Sequence, residues 1–540
     1  MDFISIDQNS HSLWDTIPKL QAVAVRGWRG IHCVEDVDVA FTRRGAAGAD
    51  SRLELVLERC YRGGVSDWGA TLFYTEFLGR QPFDVRQLEP YTGWTTAALS
   101  RRLGVSVDEL YDRYSVSDNW QLVGSSYAED DRHHRVIGDL RLAEIAPFVL
   151  ELLAQARRNM EFSFPEPEAL ARLAAWFSGE EERVRQLLQQ HEGGRLVDLY
   201  ASWVQAHVPA VVQVGVTSGR FSIEGERAEW STRLLRAFIA DYSFMAGCYN
   251  QALAEAELGL NALDQARGEL PFFAVLRRDG RMVRVALALE GDRLVAGALA
   301  WKVDVATGAL PLDDMSRDGV VCVPGKAVLL VLQARLAPHG AALVLPYRGS
   351  VYMPAARAFE RRLRESGRLP DAVLPLCRVK FNFIEHWRGC HTLIRLPRYL
   401  CEALGGAELK ADRVAEALPD LAAQARAELE QMRTPQGRDA LAARLFGSDL
   451  KRRRELEARR RELAADPGTR SEAGRVWDIV KEVDRRMLER QTERAVRNLR
   501  LLDLDFCNSR GALLPWSIAL GGQEFYDRLI ADAEVYEEPA

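Results

Sequence analysis

The spacing of apolar and polar positions changes character several times along the chain, and these changes divide it. Val211-Val212-Gln213-Val214-Gly215-Val216 is short and β-branched, which predicts a strand running into the polar turn Thr217-Ser218-Gly219-Arg220. Upstream, apolar positions recur at helical spacing over 167–177, 180–190 and 195–206, with Gly or Pro at the breaks. Segments 95–103 and 107–114, joined by Gly104-Val105-Ser106, have the outline of a helix-turn-helix. Downstream, 230–263 reads as one long helix.

From 270 the period shortens. Apolar runs at 271–276, 282–289 and 293–301 are separated by Asp279-Gly280 and Glu290-Gly291-Asp292, a β-meander with an Asp-Gly hairpin signal. A helix (325–336), a strand (341–345), a helix (355–365) and a strand (372–376) then alternate, which argues for α/β layers with a partly parallel sheet. The last pattern is helical: 407–432, 451–465 and, after Asp466-Pro467-Gly468, 471–502. On the third helix Val476, Val480, Val483, Met487, Ala495, Leu499 and Leu502 form a narrow stripe that suits a coiled-coil hairpin or bundle arm.

The expected fold is α/β: a Rossmann-like layered body with a helical insertion and a C-terminal coiled-coil arm. The segments are a lead-in of the body (1–65), a mainly helical region (66–265), an α/β core with the ligand pocket (266–405), the arm (406–502) and a returning tail (503–540).

The chain of 540 residues exceeds what one core normally holds. A net charge of −6 gives no global drive toward nucleic acid or an anionic membrane. The most basic run, 451–462, has seven cations but three interleaved acids, the composition of a solvated helix, so nucleic acid is not the expected partner. The most apolar stretch, 320–345, is cut by Pro324, Lys326, Gln333, Arg335, Pro338 and His339, too often for a membrane span. No secretory n-region or h-region opens the chain. The eight cysteines form no CxxC pair and read as reduced thiols, so a cytoplasmic location is expected.

The richest chemistry lies where strand 341–345 runs into Pro346-Tyr347-Arg348-Gly349-Ser350-Val351-Tyr352-Met353-Pro354 and a helix. Ligands of open α/β sheets sit at strand carboxyl ends, where a helix start offers free N–H groups to an anion. Arg348 adds a charge, Ser350 a hydroxyl, and Tyr347 and Tyr352 phenols that can relay protons. These four are the catalytic candidates, with Gly349 allowing close approach. Lys326, at the start of the preceding helix, and Ser218 and Arg220, after the strand at 211–216, are further candidates for binding the substrate. His386 and His391 have the wrong spacing for a helical metal pair, so no metal is expected. No motif selects a cofactor.

Two stretches resemble the bacillithiol-synthase family, which adds cysteine in bacillithiol biosynthesis. One is "GKAVLLVLQARLAPHG", "AALVLPYRGSVYMPAARAF" and "LPDAVLPLCRV"; the other is "LRLLDLDFCNSRGALLPWSIALGGQEFYDRLI". In that family a similar helix leads to a Gly-rich loop, a helix and a strand ending near an arginine, here Arg378. Tyr347-Arg348-Gly349-Ser350 stands where the family has Gly-Gly-Pro. The resemblance covers the C-terminal half only. It implies an enzyme that joins or transfers an amine- or thiol-bearing group on a small anionic substrate, with Arg348 and Arg378 holding carboxylate or phosphate. The alternative expectation is a non-catalytic scaffold that dimerises or docks a partner through the arm.

Overall fold

The computed structural model of the chain describes residues 1–7, 13–37, 85–114, 136–139, 141–257, 260–348, 352–369, 372–509 and 513–538. β1 (Asp2–Ile6) leads into α1 (Leu13–Ala24) and β2 (Arg29–Val34). A helical stretch follows, with α2 (Thr96–Leu103), α3 (Val107–Tyr114), α4 (Leu142–Ser163), α5 (Pro167–Gln190) and α6 (Leu196–His207). β3 (Val212–Val216), α7 (Ala228–Ala240) and α8 (Tyr242–Ala256) come next. The meander is β4 (Glu269–Arg278), β5 (Arg281–Glu290), β6 (Arg293–Ala296) and β7 (Leu299–Lys302). Then come β8 (Val320–Cys322), α9 (Ala327–Gln333), β9 (Ala342–Pro346), α10 (Met353–Glu365) and β10 (Leu376–Lys380). A small ladder of β11 (Leu393–Arg395) and β12 (Glu408–Lys410) precedes α11 (Ala411–Met432), α12 (Pro435–Leu445), α13 (Gly447–Ala465) and α14 (Arg470–Asp503). α15 (Leu513–Asp532) and β13 (Glu534–Glu537) close the chain.

The main sheet has the order β13-β10-β9-β1-β2-β3. Four pairings make β10, β9, β1, β2 and β3 parallel, and β13 is antiparallel to β10. The chain lays β1, β2 and β3 outward in one direction, then returns to the other side of β1 for β9 and β10. The order therefore reverses between β1 and β9. Residues 1–65, expected as a lead-in, supply two adjacent inner strands of this sheet.

Period-2 alternation splits the strands between two cores. Phe3, Val34, Val212, Val344 and Val379 join the core built with α1, α4, α5, α6 and α15. Ile4, Cys33, Leu343 and Leu376 join the core built with α7, α8, α9, α10 and the meander. Gly30 is needed where β2 meets β1, because a Cβ there would stand 2.0 Å from the Phe3 carbonyl oxygen. The meander forms a second sheet, β7-β6-β5-β4-β8. Its hairpin turns through Asp279 (φ 50) and Gly280 (φ 71), the paired left-handed residues of a type I′ turn.

Three element boundaries differ from the expected ones. The helix expected over 230–263 is two, because Asp241 leaves helical geometry (φ −145, ψ 62) and its carboxylate holds Arg368 at 2.5 Å. The strand expected at 372–376 is β10, where Leu376 pairs with Leu343 of β9. The helices expected at 167–177 and 180–190 are one, running through Gly179.

The arm is an antiparallel helical hairpin. α13 buries no residue, whereas α14, of 34 residues, turns Val476, Val480 and Val483 inward. Ion pairs cross the hairpin from Arg453 to Asp484 at 2.5 Å, Arg459 to Glu472 at 3.0 Å and Asp449 to Arg490 at 3.0 Å. Exposed pairs of this kind contribute about 0–1 kcal/mol each. The base of the arm is better held: Glu428 of α11 accepts from Arg494 at 2.7 Å and Asn498 at 2.8 Å, beside buried Leu429, Met432, Ala495 and Val496. Among the described residues, no helix is long and apolar enough to cross a membrane.

Glu180 shows how α5 is tied to α6. It is 3% exposed, and its carboxylate accepts from Trp203 Nε1 at 2.7 Å and faces His207 Nε2 at 3.0 Å. Burial alone would raise its pKa, but the bonds and charges of His207, then Trp203, outweigh it and hold the group below its ordinary value. Glu180→Ala strands these two partners, and we expect it to cost about 3 kcal/mol in chemical denaturation. A loss under about 1 kcal/mol, the usual range for a surface change, would contradict that role.

Candidate active site at the carboxyl ends of the parallel strands

β9 delivers its last residues to the sheet's carboxyl edge. Tyr347 extends the ladder, its N–H donating to the Val379 carbonyl at 2.8 Å. Lys380 Nζ lies 5.3 Å from the Tyr347 ring centroid. Tyr352 stands at the N-cap of α10, while Gly349 and Ser350 lie outside the described residues.

Arg348 meets the end of the arm. Its guanidinium is 3.2 Å from Asp503 Oδ1 and 3.9 Å from Asp505 Oδ2, and its backbone N–H donates to Ser509 Oγ at 3.3 Å. All three charged side chains remain open to solvent, at 42% for Arg348, 37% for Asp503 and 43% for Asp505. Partial burial pushes the Asp503 carboxyl up to about 6; Arg348 opposes that shift and Asp505 adds to it. Asp503 ends α14, where the negative end of the helix dipole disfavours a carboxylate. Sequence reasoning passed over Asp503 and Asp505, although acids at a helix C-terminus are the kind of mismatch that marks a site.

Arg378 has a different place. It is 6% exposed, donates from Nε to Glu538 Oε2 at 2.7 Å and from a terminal nitrogen to the Pro346 carbonyl at 2.9 Å. It ties β13 and β9 to β10. Three more expected ligand contacts lie apart from Arg348. Ser218 follows β3, three strands from β9, or roughly 14 Å at ordinary strand spacing. Arg220 donates to the His339 carbonyl and sits 5.1 Å from the Trp230 ring centroid. Lys326 borders the meander, with its N–H bonded to the Pro271 carbonyl at 2.8 Å. Burial lowers its ammonium pKa, and Glu269 and Arg284 act on it in opposite senses.

Behind this edge lies a buried polar file. His32 Nδ1 is 3.1 Å from Ser5 Oγ, His32 Nε2 is 3.0 Å from Asp7 Oδ2, and Thr16 Oγ1 donates to Asp7 Oδ1 at 3.0 Å. The matched tautomer has Nε2–H donating to Asp7 and Nδ1 accepting the Ser5 hydroxyl. Ser5 and His32 are fully buried, so this serine–histidine–aspartate file presents no nucleophile to a substrate. One strand further on, the Asp36 carboxylate accepts the Ser218 N–H at 2.7 Å and the Ser218 hydroxyl. Burial raises the Asp36 pKa, and both Ser218 bonds oppose the rise. Tyr200, beside the file, is pushed well up by burial and then by Asp7 and Asp15.

Nucleophilic cysteine chemistry is poorly served by the buried thiols. Burial pushes Cys33 up to about 12 and Cys377 up to about 11, and raises Cys322 and Cys507 well above the ordinary value. Among the described residues, no group of three His, Cys, Asp or Glu side chains is placed to hold a metal ion. Comparisons with family models, with curated proteins and with solved structures found no match to the chain.

The Asp503 shift gives stability a defined pH dependence. Its folded pKa of about 6 lies above the unfolded value near 3.9, so its ionisation opposes folding. That opposition is absent below the unfolded pKa, grows as pH rises, and is complete above about pH 6. The melting temperature of Asp503→Asn, measured against the parent, should therefore rise between about pH 4.5 and pH 7.5. A constant or shrinking difference would show that Asp503 is not raised.

Proposed function

We propose that the chain is a Rossmann-like enzyme of small-molecule metabolism, similar to the bacillithiol synthases. It would bind an amine- or thiol-bearing amino acid and join or transfer it onto a polar anionic substrate. The observation that carries this reading is the group formed by Arg348, Asp503 and Asp505, one cation and two acids half open to solvent. A guanidinium suits the carboxylate of an amino acid, and Asp505 suits its ammonium. Asp503, with a pKa of about 6, suits a general base that takes up a proton released by the amine or thiol. Tyr347 and Tyr352 are near enough in sequence to relay that proton. The first N–H groups of α10, free of intrahelical partners, suit the anionic acceptor.

Two further observations support the family resemblance. Its two stretches, distant in sequence, meet in space where Arg348 contacts Asp503 and Ser509. The strand order, with its reversal between β1 and β9, is that of doubly wound sheets, whose ligands lie at the carboxyl ends beside such a reversal.

The test is a mass-spectrometric assay of the purified protein with cysteine and an amino-sugar malate, with and without nucleotide. An adduct is expected. Asp503→Asn should cut kcat by about 100-fold with little change in KM, and should remove the fall in kcat/KM below about pH 6. If no adduct forms and neither compound raises the melting temperature, the reading fails.

One observation favours the scaffold reading. Trp477 and Ile479 are 37% and 41% exposed on the arm, positions through which a coiled-coil partner could dock. Replacing both with Glu would then convert a dimer to a monomer in light scattering. An unchanged mass would remove this reading.

A further inference from the structure

A cleft of about 780 Å3 opens between the start of α5, residues 386–392, the end of β12 and α15. It lies apart from Arg348 and its partners, and its size is within the range of about 300–1,000 Å3 usual for small-molecule sites. The floor of the cleft is a break in α15. Gly521 (φ −163, ψ 19) and Gly522 (φ 69, ψ −159) interrupt the helix, and only glycine takes the second conformation without strain.

The break leaves backbone groups that need partners. Arg172 donates to the carbonyls of Ile518 at 3.1 Å and Ala519 at 2.6 Å. Cys390 Sγ and Thr392 Oγ1 approach the Leu520 carbonyl at 3.4 and 2.9 Å. The negative end of the first half-helix is therefore covered by donors. Gly521 at the break and, from the second half (523–532), Phe525 and Arg528, three apart on one helical face, line the cleft.

The remaining walls are basic. Arg172, Arg388, Lys410 and Arg528 line the cleft against the acids Glu166 and Glu168. Arg388 is paired with Glu385 at 2.7 Å, both well exposed. His386 and His391 also line it, but each faces an aspartate, Asp532 at 3.2 Å and Asp412 at 2.9 Å. Lys410 and Arg528 are exposed and have no carboxylate within ion-pair reach among the described residues.

We propose that this cleft is a binding site for a small polyanion carrying phosphate groups or several carboxylates. Cations spread over separate walls would be bridged by such a ligand, and a monoanion would satisfy only one of them. The inference does not rest on the function proposed above.

Isothermal titration of the full chain with inorganic pyrophosphate and, separately, citrate, at fixed ionic strength, tests it. Binding of pyrophosphate alone identifies a phosphate ligand, and binding of citrate alone a polycarboxylate; either result supports the site. The double variant Lys410→Glu/Arg528→Glu reverses two exposed, unpaired charges. Its melting temperature without ligand should match the parent, and its affinity should fall by at least about tenfold. Should that variant fail to fold, Lys410→Gln alone should weaken binding, and Glu168→Gln should strengthen it. Absence of binding by both anions, or parent-like affinity in the charge variants, overturns the proposal.

Discussion

The antiparallel pairing of β13 with β10, in which Tyr536 stands opposite Arg378, is the contact on which the rest of the arrangement depends. Arg378 joins three strands at once, through its own place in β10, its bond to the Pro346 carbonyl of β9 and its ion pair with Glu538 beyond β13. Because it is nearly buried, its charge is balanced where water cannot do so. This pairing fixes the end of the chain on the body. It thereby returns the 503–509 segment to the edge of the sheet, where Asp503 and Ser509 reach Arg348. The arm, which leaves the body at α11, is held at both ends by this closure.

A second constraint runs through the interior: three buried carboxylates sit among donors. Glu180 has Trp203 and His207, Asp36 has the Ser218 amide and hydroxyl, and Asp7 has Thr16 and His32. Such groups would otherwise carry the full cost of leaving water. Burial still raises Asp36, and Asp503 differs from it in standing 37% open to solvent beside one cation and the neighbouring Asp505. That difference separates carboxylates that hold the fold from one suited to exchanging a proton.

Much of this was legible in local pattern. The β-branched run of β3, the Asp279-Gly280 hairpin and the inward stripe of α14 are each decided by neighbours in sequence. Two things were not. The break at Asp241 carries no Gly or Pro, and it depends on Arg368, far along the chain. The weight of β1 was hidden because a five-residue strand with Ser5 on one face shows little of its surroundings. Its pairing with both β2 and β9 makes it central, and no local pattern reports that. The site was legible in part. Tyr347 and Arg348 follow β9 at the sheet's edge, but Asp503 and Asp505 read as the polar end of a solvated helix. Arg378, Arg220 and Ser218 looked like free ligand contacts because their internal partners, Glu538, the His339 carbonyl and Asp36, are remote in sequence.

The position of β1 has a consequence for how the chain is made. Phe3 leaves the ribosome long before Ala342, its neighbour on β9, and must await it. The sheet is finished only when β13 emerges, after every other strand described. Contacts this distant in sequence slow folding and leave strand edges unpaired in the meantime. The nascent chain therefore carries β1 with one edge open until β9 emerges, and β10 with one edge open until β13 follows.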